Sequence, residues 1–419
     1  MDPQVVAAII AASVSVLTLI GTLAAQYFGR RATSRDTEKT LGEQGKHLDR
    51  TLAEQREQLD RTLTEQSKQL DRTLAEQRTR TLNERFAAAA SQLGNDKPPT
   101  VQLAGLTAIA GLADDWVANR QTCVNVLCGY LRMPYEPDPG EEAPQAARLA
   151  FQAGREVRHT VIRVITAHLN GDAPVSWQGL NFDFRGVVFD GGDFGEAEFS
   201  GGTVCFDRAK FPDGQVSFHG VTFSGGKVSL DRAEFSGGEV LFDRTMFTGG
   251  HVTFDGAQFT GGTVYFDHAA FTDGQVSFDR AVFSGGEVLF DRAGFSGGNV
   301  HFTFAEFADG AVSFDNARFF GGHVNYFIAH FCGGQVSFHD AEFSDGQVHF
   351  GAKFADGEVN FDRAKFSGGQ VSFDGAEFSG GEVDFSHALE WSVPPVFGWP
   401  AHSPPPGVRL PGKQDQPQP

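Results

Sequence analysis

The 419-residue sequence is poor in the residue patterns that mark disulfide-stabilised proteins and many enzymes. Its four cysteines lie in no CxxC pair and in no spacing typical of metal ligands. The cysteines therefore fit a reducing compartment better than a disulfide framework. The sequence also lacks a P-loop, a GxSxG motif and an HExxH motif. We therefore predict no catalytic residue, no cofactor site and no metal site, and we do not expect an enzyme.

Basic residues are scarce in the second half of the chain. Nearly all of the formal net charge of −19 falls between residues 181 and 390. A surface this acidic repels the phosphates of nucleic acids. We therefore expect no direct binding of DNA or RNA.

Long apolar runs are also rare, and the prominent one lies near the N-terminus. Residues 5–25 (VVAAIIAASVSVLTLIGTLAA) carry no charge, and as a helix they would span about 32 Å, enough to cross a bilayer core. The preceding MDPQ has no base, unlike a secretory signal, whereas Arg30, Arg31 and Arg35 follow the run. Residues 1–31 are predicted to be a single-pass anchor in the cell membrane, with the N-terminus outside and all later domains in the cytoplasm.

Residues 32–85 are predicted to form a long polar helix. The sequence TLGEQGKHLDR recurs as TLAEQREQLDR and TLTEQSKQLDR. Eleven residues fill three helical turns, so the repeated leucines form a nearly straight seam. They stand at positions 41, 48, 52, 59, 63, 70 and 74. The seam fits a parallel coiled coil that makes a homo-oligomer through residues 41–74. It fits a solvated single helix equally well, because Gln55 and Gln66 interrupt it.

Residues 86–172 are predicted to form a small all-helical domain. Residues 101–116 and 121–133 have helical apolar periodicity, and the stretch REVRHTVIRVITAHLN resumes it after an exposed loop. We expect this domain to cap the domain that follows.

A twelve-residue repeat dominates the sequence from residue 204 onward. The unit reads V-x-F-D-R-A-x-F-S-G-G-x, and its valine recurs every twelve residues up to Val383, with one step of eleven. Valine and the first phenylalanine are two residues apart, as are alanine and the second phenylalanine, so each pair points to one face of a short strand. The Asp-Arg and Gly-Gly steps are predicted to be turns. The second glycine, from Gly214 to Gly381, is predicted to have a positive φ.

The repeats resemble the pentapeptide-repeat family. In FRGVVFDGGDFGEAEF the phenylalanines are five residues apart, as in that family, whereas the later units insert two residues at each Gly-Gly step. The resemblance covers about half of the chain and implies a right-handed, four-sided β-helix. The order of segments also resembles that of actinobacterial membrane-anchored proteins with Phe-rich repeats.

Two units, or 24 residues, are predicted to make one coil of this helix. A twelve-residue coil could not close around a valine, an alanine and two phenylalanine rings, whereas 24 residues give four sides and four phenylalanines per layer. Residues 177–389 would then form eight or nine coils. The shortened unit at 350–354 predicts a tightened corner. The Pro-rich residues 390–419 are predicted to be largely disordered, with Trp391 and Phe397 covering the last coil.

The predicted fold is therefore mixed α + β: a transmembrane helix, a long polar helix, a small all-α domain and a quadrilateral β-helix. Two groups of outward-facing apolar residues on this β-helix are candidates for an interaction patch. In one group, the usually polar position before the first phenylalanine is apolar in three successive coils. In the other, apolar residues, with Ala352 as the last, replace the corner arginine beside Phe327. The candidate residues are Leu241, Tyr265, Leu289, Phe304, Phe327 and Ile328.

Two functions fit these features. The favoured function is a non-catalytic, membrane-anchored scaffold that presents an acidic β-helical rod to a cytoplasmic protein. The alternative follows from the resemblance, because some soluble relatives mimic duplex DNA and inhibit type II topoisomerases. A DNA-mimic regulator of a topoisomerase or of another DNA-binding protein fits the acidity, but the membrane anchor and the arginines at the corners fit it poorly.

Overall fold

The computed structural model of the chain describes residues 35–94, 96–400 and 403–412. The predicted membrane anchor, residues 1–31, lies outside these ranges. No helix within them is long and apolar enough to span a bilayer. Among the described residues, 35–80 belong to one compact unit and those from 81 onward to a second.

Four α-helices precede the repeats in the described part of the chain. They are α1 (Arg35–Gln92), α2 (Pro99–Asp115), α3 (Arg120–Leu131) and α4 (Gln145–Leu169), with a 3-10 turn at Val117–Asn119. Helix α1 continues past residue 85, where the sequence analysis ended it, because the stretch RFAAAASQ favours a helix as strongly as the repeats before it do.

The repeats form a β-solenoid of short parallel strands arranged in two sheets of 16 strands each. The first sheet contains Phe182–Asp183, Glu198–Phe199, Thr203–Cys205, Thr222–Phe223, Lys227–Ser229, Met246–Phe247, His251–Thr253, Ala270–Phe271, Gln275–Ser277, Gly294–Phe295, Asn299–His301, Arg318–Asn325, Glu342–His349, Lys365–Phe366, Gln370–Phe373 and Val396–Phe397. The second sheet contains Gly192–Asp193, Lys210–Phe211, Gln215–Ser217, Glu234–Phe235, Glu239–Leu241, Gln258–Phe259, Thr263–Tyr265, Val282–Phe283, Glu287–Leu289, Glu306–Phe307, Ala311–Ser313, His330–Ser337, Lys353–Asn360, Glu377–Phe378, Glu382–Asp384 and Val408–Arg409.

The strand register confirms the predicted coil of 24 residues. Val240 pairs with Val264, and Val264 pairs with Val288. After the shortened unit the step falls to 23 residues, with Val336 beside Val359. The solenoid has about nine coils.

Phenylalanine rings fill the interior in four columns, as the spacing predicted. In one central layer the four members are Phe254, Phe259, Phe266 and Phe271. Rings stack on their equivalents one coil away, except where Leu230 interrupts one column between Phe206 and Phe254. The centroids of Phe247 and Phe271, for example, are 4.7 Å apart with 2° between the ring planes. Burial of each ring contributes about 1.5–3 kcal/mol, and offset stacking adds about 0.5–1.5 kcal/mol.

The Gly-Gly steps have the predicted left-handed conformation, with one exception. Gly214 has a φ of +72° and Gly369 a φ of +70°, but Gly381 does not have a positive φ, because the repeat ends there. Stacking of the coils also demands glycine, since a Cβ on Gly238 would lie 2.2 Å from the carbonyl oxygen of Gly214. Between residues 318 and 360 the step lies inside eight-residue strands as a register shift, not in a separate turn.

The Asp-Arg corners also require a left-handed residue, which the sequence analysis missed. Arg232 has a φ of +58° and Arg244 a φ of +54°. Such a conformation costs an L-residue about 1–2 kcal/mol. Glycine occupies the same corner position in other coils, at Gly220 and Gly256.

The helical region covers the first coil of the solenoid. Asp190 accepts hydrogen bonds from the Tyr135 hydroxyl at 2.7 Å and from Arg155 Nε at 3.1 Å. Burial alone would raise the pKa of the Asp190 carboxyl, but the hydrogen bonds from His159 and Tyr135 and the charge of Arg155 hold it below its usual value. Trp177 is fully buried beside these helices and donates its indole N–H to Asp114 at 3.0 Å.

The Pro-rich end of the chain differs from the disorder predicted for it. Val396–Phe397 pairs with Ser372 and Phe373, and Val408–Arg409 pairs with Val383 and Asp384. These strands satisfy backbone groups that the last coil would otherwise expose at the sheet edges. Phe397 also stacks on Phe373 at 5.5 Å, so the tail covers the end of the ring columns.

One member of the ring columns carries a polar group without a partner. Tyr326 stacks between Phe302 and Phe350 at 4.7 and 4.8 Å. Its side chain is fully buried, and its hydroxyl has no hydrogen-bond partner among the described residues.

We predict that Tyr326→Phe stabilises the solenoid. Removal of the unpaired hydroxyl should raise the free energy of unfolding by about 1 kcal/mol, because a buried unsatisfied polar group costs about 1–3 kcal/mol. Denaturant titration followed by circular dichroism measures this change. The control Phe302→Tyr, in the same column, should lower stability by a similar amount. Equal stability of Tyr326→Phe and the natural protein would contradict the prediction.

Candidate functional site

A hydrogen-bond network between coils lines five corners of the described solenoid, at Asp207, Asp231, Asp255, Asp291 and Asp315. A serine or threonine before the first phenylalanine of a unit donates its hydroxyl to the corner aspartate one coil below. The Thr253 hydroxyl lies 2.6 Å from Asp231 Oδ1, and the Ser277 hydroxyl donates to Asp255 in the same way. Both hydroxyl residues are buried, so this network supplies hydrogen-bond partners to polar groups that the stacking of coils removes from water.

The first candidate group interrupts this network on the second sheet. Leu241, Tyr265 and Leu289 pair with one another in successive coils, as the sequence predicted, but they are half-buried and not exposed. They occupy the position that a hydroxyl residue has elsewhere. As a result, Asp243 and Asp267 each retain a buried carboxylate oxygen without a hydrogen-bond partner among the described residues.

Burial changes the acidity of one of these two carboxyls, that of Asp267. Burial, together with the neighbouring charges of Asp291 and Asp243, raises the pKa of Asp267 from 3.8 to about 6. Burial also raises the pKa of Asp291, although Ser313 donates a hydrogen bond to it. Arg292 partly offsets the shift at Asp267. The stripe of Leu241, Tyr265 and Leu289 therefore lies beside Asp267, whose carboxyl holds a proton more tightly than free aspartate.

This column predicts a pH dependence of stability. Because the pKa of Asp267 is raised to about 6 in the folded state, its contribution to stability is fully present below about pH 4 and is lost as the pH rises through about 6. Asp267→Asn should remove that loss. The free energy of unfolding of the variant, relative to that of the natural protein, should therefore increase from pH 4.5 to pH 7.5.

The matched control is Asp231→Asn, at the same corner position on the first sheet. Asp231 accepts the Thr253 hydroxyl, so this substitution should not stabilise the protein at pH 7.5. Urea titrations at both pH values measure the two differences. A pH-independent difference for Asp267→Asn would show that the Asp267 carboxyl is ionised at both values.

The second candidate group lies where the corner loses both its aspartate and its arginine. The pairs Thr303-Phe304 and Phe327-Ile328 replace Asp-Arg in two successive coils, and the Phe304 N–H donates to the Phe327 carbonyl at 3.2 Å. The three apolar side chains are 50%, 47% and 37% exposed for Phe304, Phe327 and Ile328. We call these three residues the corner patch.

Polar groups border the corner patch at both ends. The Arg280 guanidinium lies over the Phe304 ring, 5.7 Å from its centroid. The ring of Phe327 lies 6.3 Å from that of His349, one coil further along. The patch is thus an uncharged surface between charged or titratable neighbours on a strongly acidic solenoid.

The backbone of the corner patch is in an unfavourable conformation. Phe304 has a φ of +60° and Ile328 a φ of +54°. A β-branched or bulky residue rarely adopts this region, and where it does, the strain is often retained for function. At the same corner Gly256 and Gly375 show that glycine fits the fold. Coil packing alone therefore does not select phenylalanine or isoleucine here.

Ala352 does not belong to the corner patch, contrary to the sequence analysis. It is 2% exposed, and the neighbouring strands pair Lys353 with His330, which places Ala352 level with the interior Ala329. The shortened unit has lost one of the two corner residues and retains Gly351 alone. The patch accordingly spans two coils, not three.

Phe320 is an exposed aromatic residue that the sequence analysis missed. It is 47% exposed and takes the place of the serine before a Gly-Gly step. A Cβ on Gly294 would lie 3.5 Å from its ring, so it leans on the neighbouring coil. The replacement of serine by phenylalanine in that unit is the sequence feature that could have indicated this exposed residue.

No group of three histidine, cysteine, aspartate or glutamate side chains in the described ranges could hold a metal ion. The charged cluster of Asp190 with Arg155 and His159 fastens the helical region to the first coil. The side chains of this cluster form hydrogen bonds and ion pairs with one another.

We predict that Ile328→Gly stabilises the solenoid by about 1 kcal/mol, because glycine adopts a positive φ without the steric cost of a β-branched residue. The control is the reverse change at the same corner three coils earlier, Gly256→Ile, which should destabilise by a similar amount. Differential scanning calorimetry gives both values. A lower melting temperature for Ile328→Gly would mean that the isoleucine side chain stabilises the fold more than its backbone strains it.

Comparison with known proteins identifies the repeats. Residues 184–234 match a family model described as pentapeptide repeats (9 copies). The match begins where the phenylalanines are five residues apart and extends into the first twelve-residue units. No curated protein and no solved structure matches the chain.

Proposed function

We propose that this pentapeptide-repeat protein is a non-catalytic scaffold, held at the cytoplasmic face of the membrane, whose acidic solenoid binds a partner protein at the corner patch. The observation that carries the proposal is the exposure of Phe304, Phe327 and Ile328 in a backbone conformation that disfavours two of them. Elsewhere on the same corner the chain uses Asp-Arg or a glycine. Exposed apolar residues in contiguous positions are typical of protein-binding surfaces.

The polar side chains of the solenoid support a scaffold more than a catalyst. The corner aspartates accept hydrogen bonds from hydroxyls of the next coil, as Asp231 does from Thr253. Ser337 donates to Asp315 in the same way on the other sheet. Groups committed to repeated structural bonds are not free to transfer protons or attack a substrate.

The acidity of the solenoid indicates the chemistry of the partner. The chain carries a net charge of −19, concentrated in the repeats. A partner with an apolar centre and a basic rim would match the corner patch and its acidic surroundings, and the charges would accelerate its association.

Membrane attachment rests on residues 5–25, which lie outside the described ranges. Their 21 uncharged residues are long enough for one span, and the arginines that follow favour retention of the later residues in the cytoplasm. Protease digestion of inverted membrane vesicles tests this topology. Digestion of the repeats in inverted but not in right-side-out vesicles is expected.

A DNA mimic is the second function that the acidity favours. It requires carboxylates that are charged and accessible. The corner carboxyls, however, include Asp267 on the second sheet, with a pKa raised by burial to about 6, and Asp255 on the first sheet, whose pKa burial also raises. A supercoiling assay with a type II topoisomerase separates the two functions, and we expect no inhibition by the protein.

The corner patch can be removed without loss of the fold. Asn316 holds a φ of +57° at the equivalent corner of the other sheet, so Phe304→Asn and Ile328→Asn remove two of the three apolar side chains of the patch and keep the backbone conformation. We predict that the double variant loses its partner in crosslinking experiments in the native cell, with unchanged or higher thermal stability.

The matched control is Met246→Ser, which removes an isolated side chain that is 42% exposed. This variant should keep the same partner. If the double variant retains the partner in undiminished yield, the proposal that the partner binds at the corner patch is contradicted.

A further inference from the structure

Helix α1 presents a regular apolar seam that nothing in its own unit covers among the described residues. The seam leucines Leu59, Leu63, Leu70 and Leu74 are 46%, 46%, 55% and 53% exposed. They belong to one eleven-residue pattern, in which a nearly straight stripe extends for about 50 Å at 1.5 Å per residue. A helix that only separates two domains has no need of leucines in register over three repeats.

Glutamines follow the leucines at a fixed position in every repeat. Each seam leucine at 41, 52, 63 and 74 is followed three residues later by a glutamine. These glutamines are Gln44, Gln55, Gln66 and Gln77. All four are exposed. The glutamines that interrupt the run of leucines therefore recur with the same period as the leucines, and they form polar layers within the seam.

The residues that border the seam leave apolar groups available for contact with a second helix. Thr51, Thr62 and Thr73 lie along one border, and each hydroxyl donates to the carbonyl four residues earlier, at 2.8–2.9 Å. Their methyl groups are left for contact. The charged side chains on the opposite face pair within the helix instead, as Arg61 does with Glu57 and Lys68 with Glu65.

We propose that residues 41–77 of α1 pair with the same residues of a second copy of this chain, parallel and in register. In this arrangement each residue of the seam faces the same residue of the second chain. Leucine packs on leucine, and each glutamine amide can donate to and accept from its counterpart. A polar layer of this type fixes register and orientation in coiled coils. The eleven-residue period gives the pair a straight or slightly right-handed course.

The parallel orientation rests on the proposed membrane anchor. An antiparallel register can also match leucine with leucine, for example Leu48 with Leu74, but it places Gln66 opposite Arg56. If both N-termini are held in one membrane, an antiparallel pair would carry one anchor to the far end of the seam. Only the parallel pair keeps both anchors in the same bilayer.

Cysteine crosslinking of the full-length protein tests the pairing and its direction. In a background with Cys205 and Cys332 replaced by serine, Leu48→Cys should form a disulfide-linked dimer under mild oxidation. Arg50→Cys, on the opposite face of the helix, should not. A mixture of Leu48→Cys and Leu74→Cys chains should give no crosslink between the two types.

Each alternative outcome is decisive. A Leu48–Leu74 crosslink would overturn the parallel arrangement. Absence of any crosslink at Leu48 and at Leu74 would overturn self-pairing through the seam, whatever the state of the corner patch.

A second measurement covers association through other segments. The double variant Leu59→Gln and Leu63→Gln should reduce the detergent-solubilised protein from at least twice the chain mass of 45.2 kDa to a single chain mass. The control Glu54→Gln with Arg61→Gln, on the opposite face, should leave the mass unchanged. An unchanged mass in the leucine variant would overturn the proposal.

Discussion

The contact between phenylalanine rings one coil apart is the constraint from which the rest of the solenoid follows. A ring stacks on its equivalent only if the chain returns to the same place at the spacing of parallel strands. Two units of twelve residues achieve this, and the centroid distance stays close to that of Phe271 and Phe295, 4.8 Å. Beside these columns the interior holds the buried valine of each unit, such as Val264, and small residues such as Ala257 and Ala281.

The same stacking leaves the corners as the place where the sequence is free to change. The coils need a left-handed residue at each corner, but not a particular side chain. Five corner aspartates accept a hydrogen bond from a hydroxyl of the next coil. Where a leucine or tyrosine takes the place of the hydroxyl residue, a buried carboxylate oxygen such as that of Asp267 lacks a partner among the described residues. Where the corner pair itself is apolar, Phe304 and Ile328 face solvent. Function on a repeat scaffold of this type is expected where the repeat is broken.

Much of the fold could be predicted because a strict period reports strand direction, coil length and interior content at once. The exceptions came from the contacts between coils, which a single unit does not encode. Arginine carries no signal for a positive φ, yet stacking forces Arg232 into one. The loss of one residue moved Ala352 from the surface to the interior. The tail pairs as strands because the last coil offers it open edges, a feature invisible in its proline-rich composition.

The sequence predicted the position of the candidate residues but not their burial or the hydrogen bonding beneath them. The sequence located Leu241, Tyr265 and Leu289 on one side, but their half-burial and the unpaired oxygens beneath them depend on the coil above. A direct test of the central claim is disulfide formation at the spacing of one coil, with Cys205 and Cys332 replaced by serine. Gln275→Cys with Asn299→Cys, which pair in adjacent coils, should crosslink readily. Gln275→Cys with Glu287→Cys, twelve residues apart on opposite sheets, should not. Crosslinking at twelve residues but not at 24 would contradict the account.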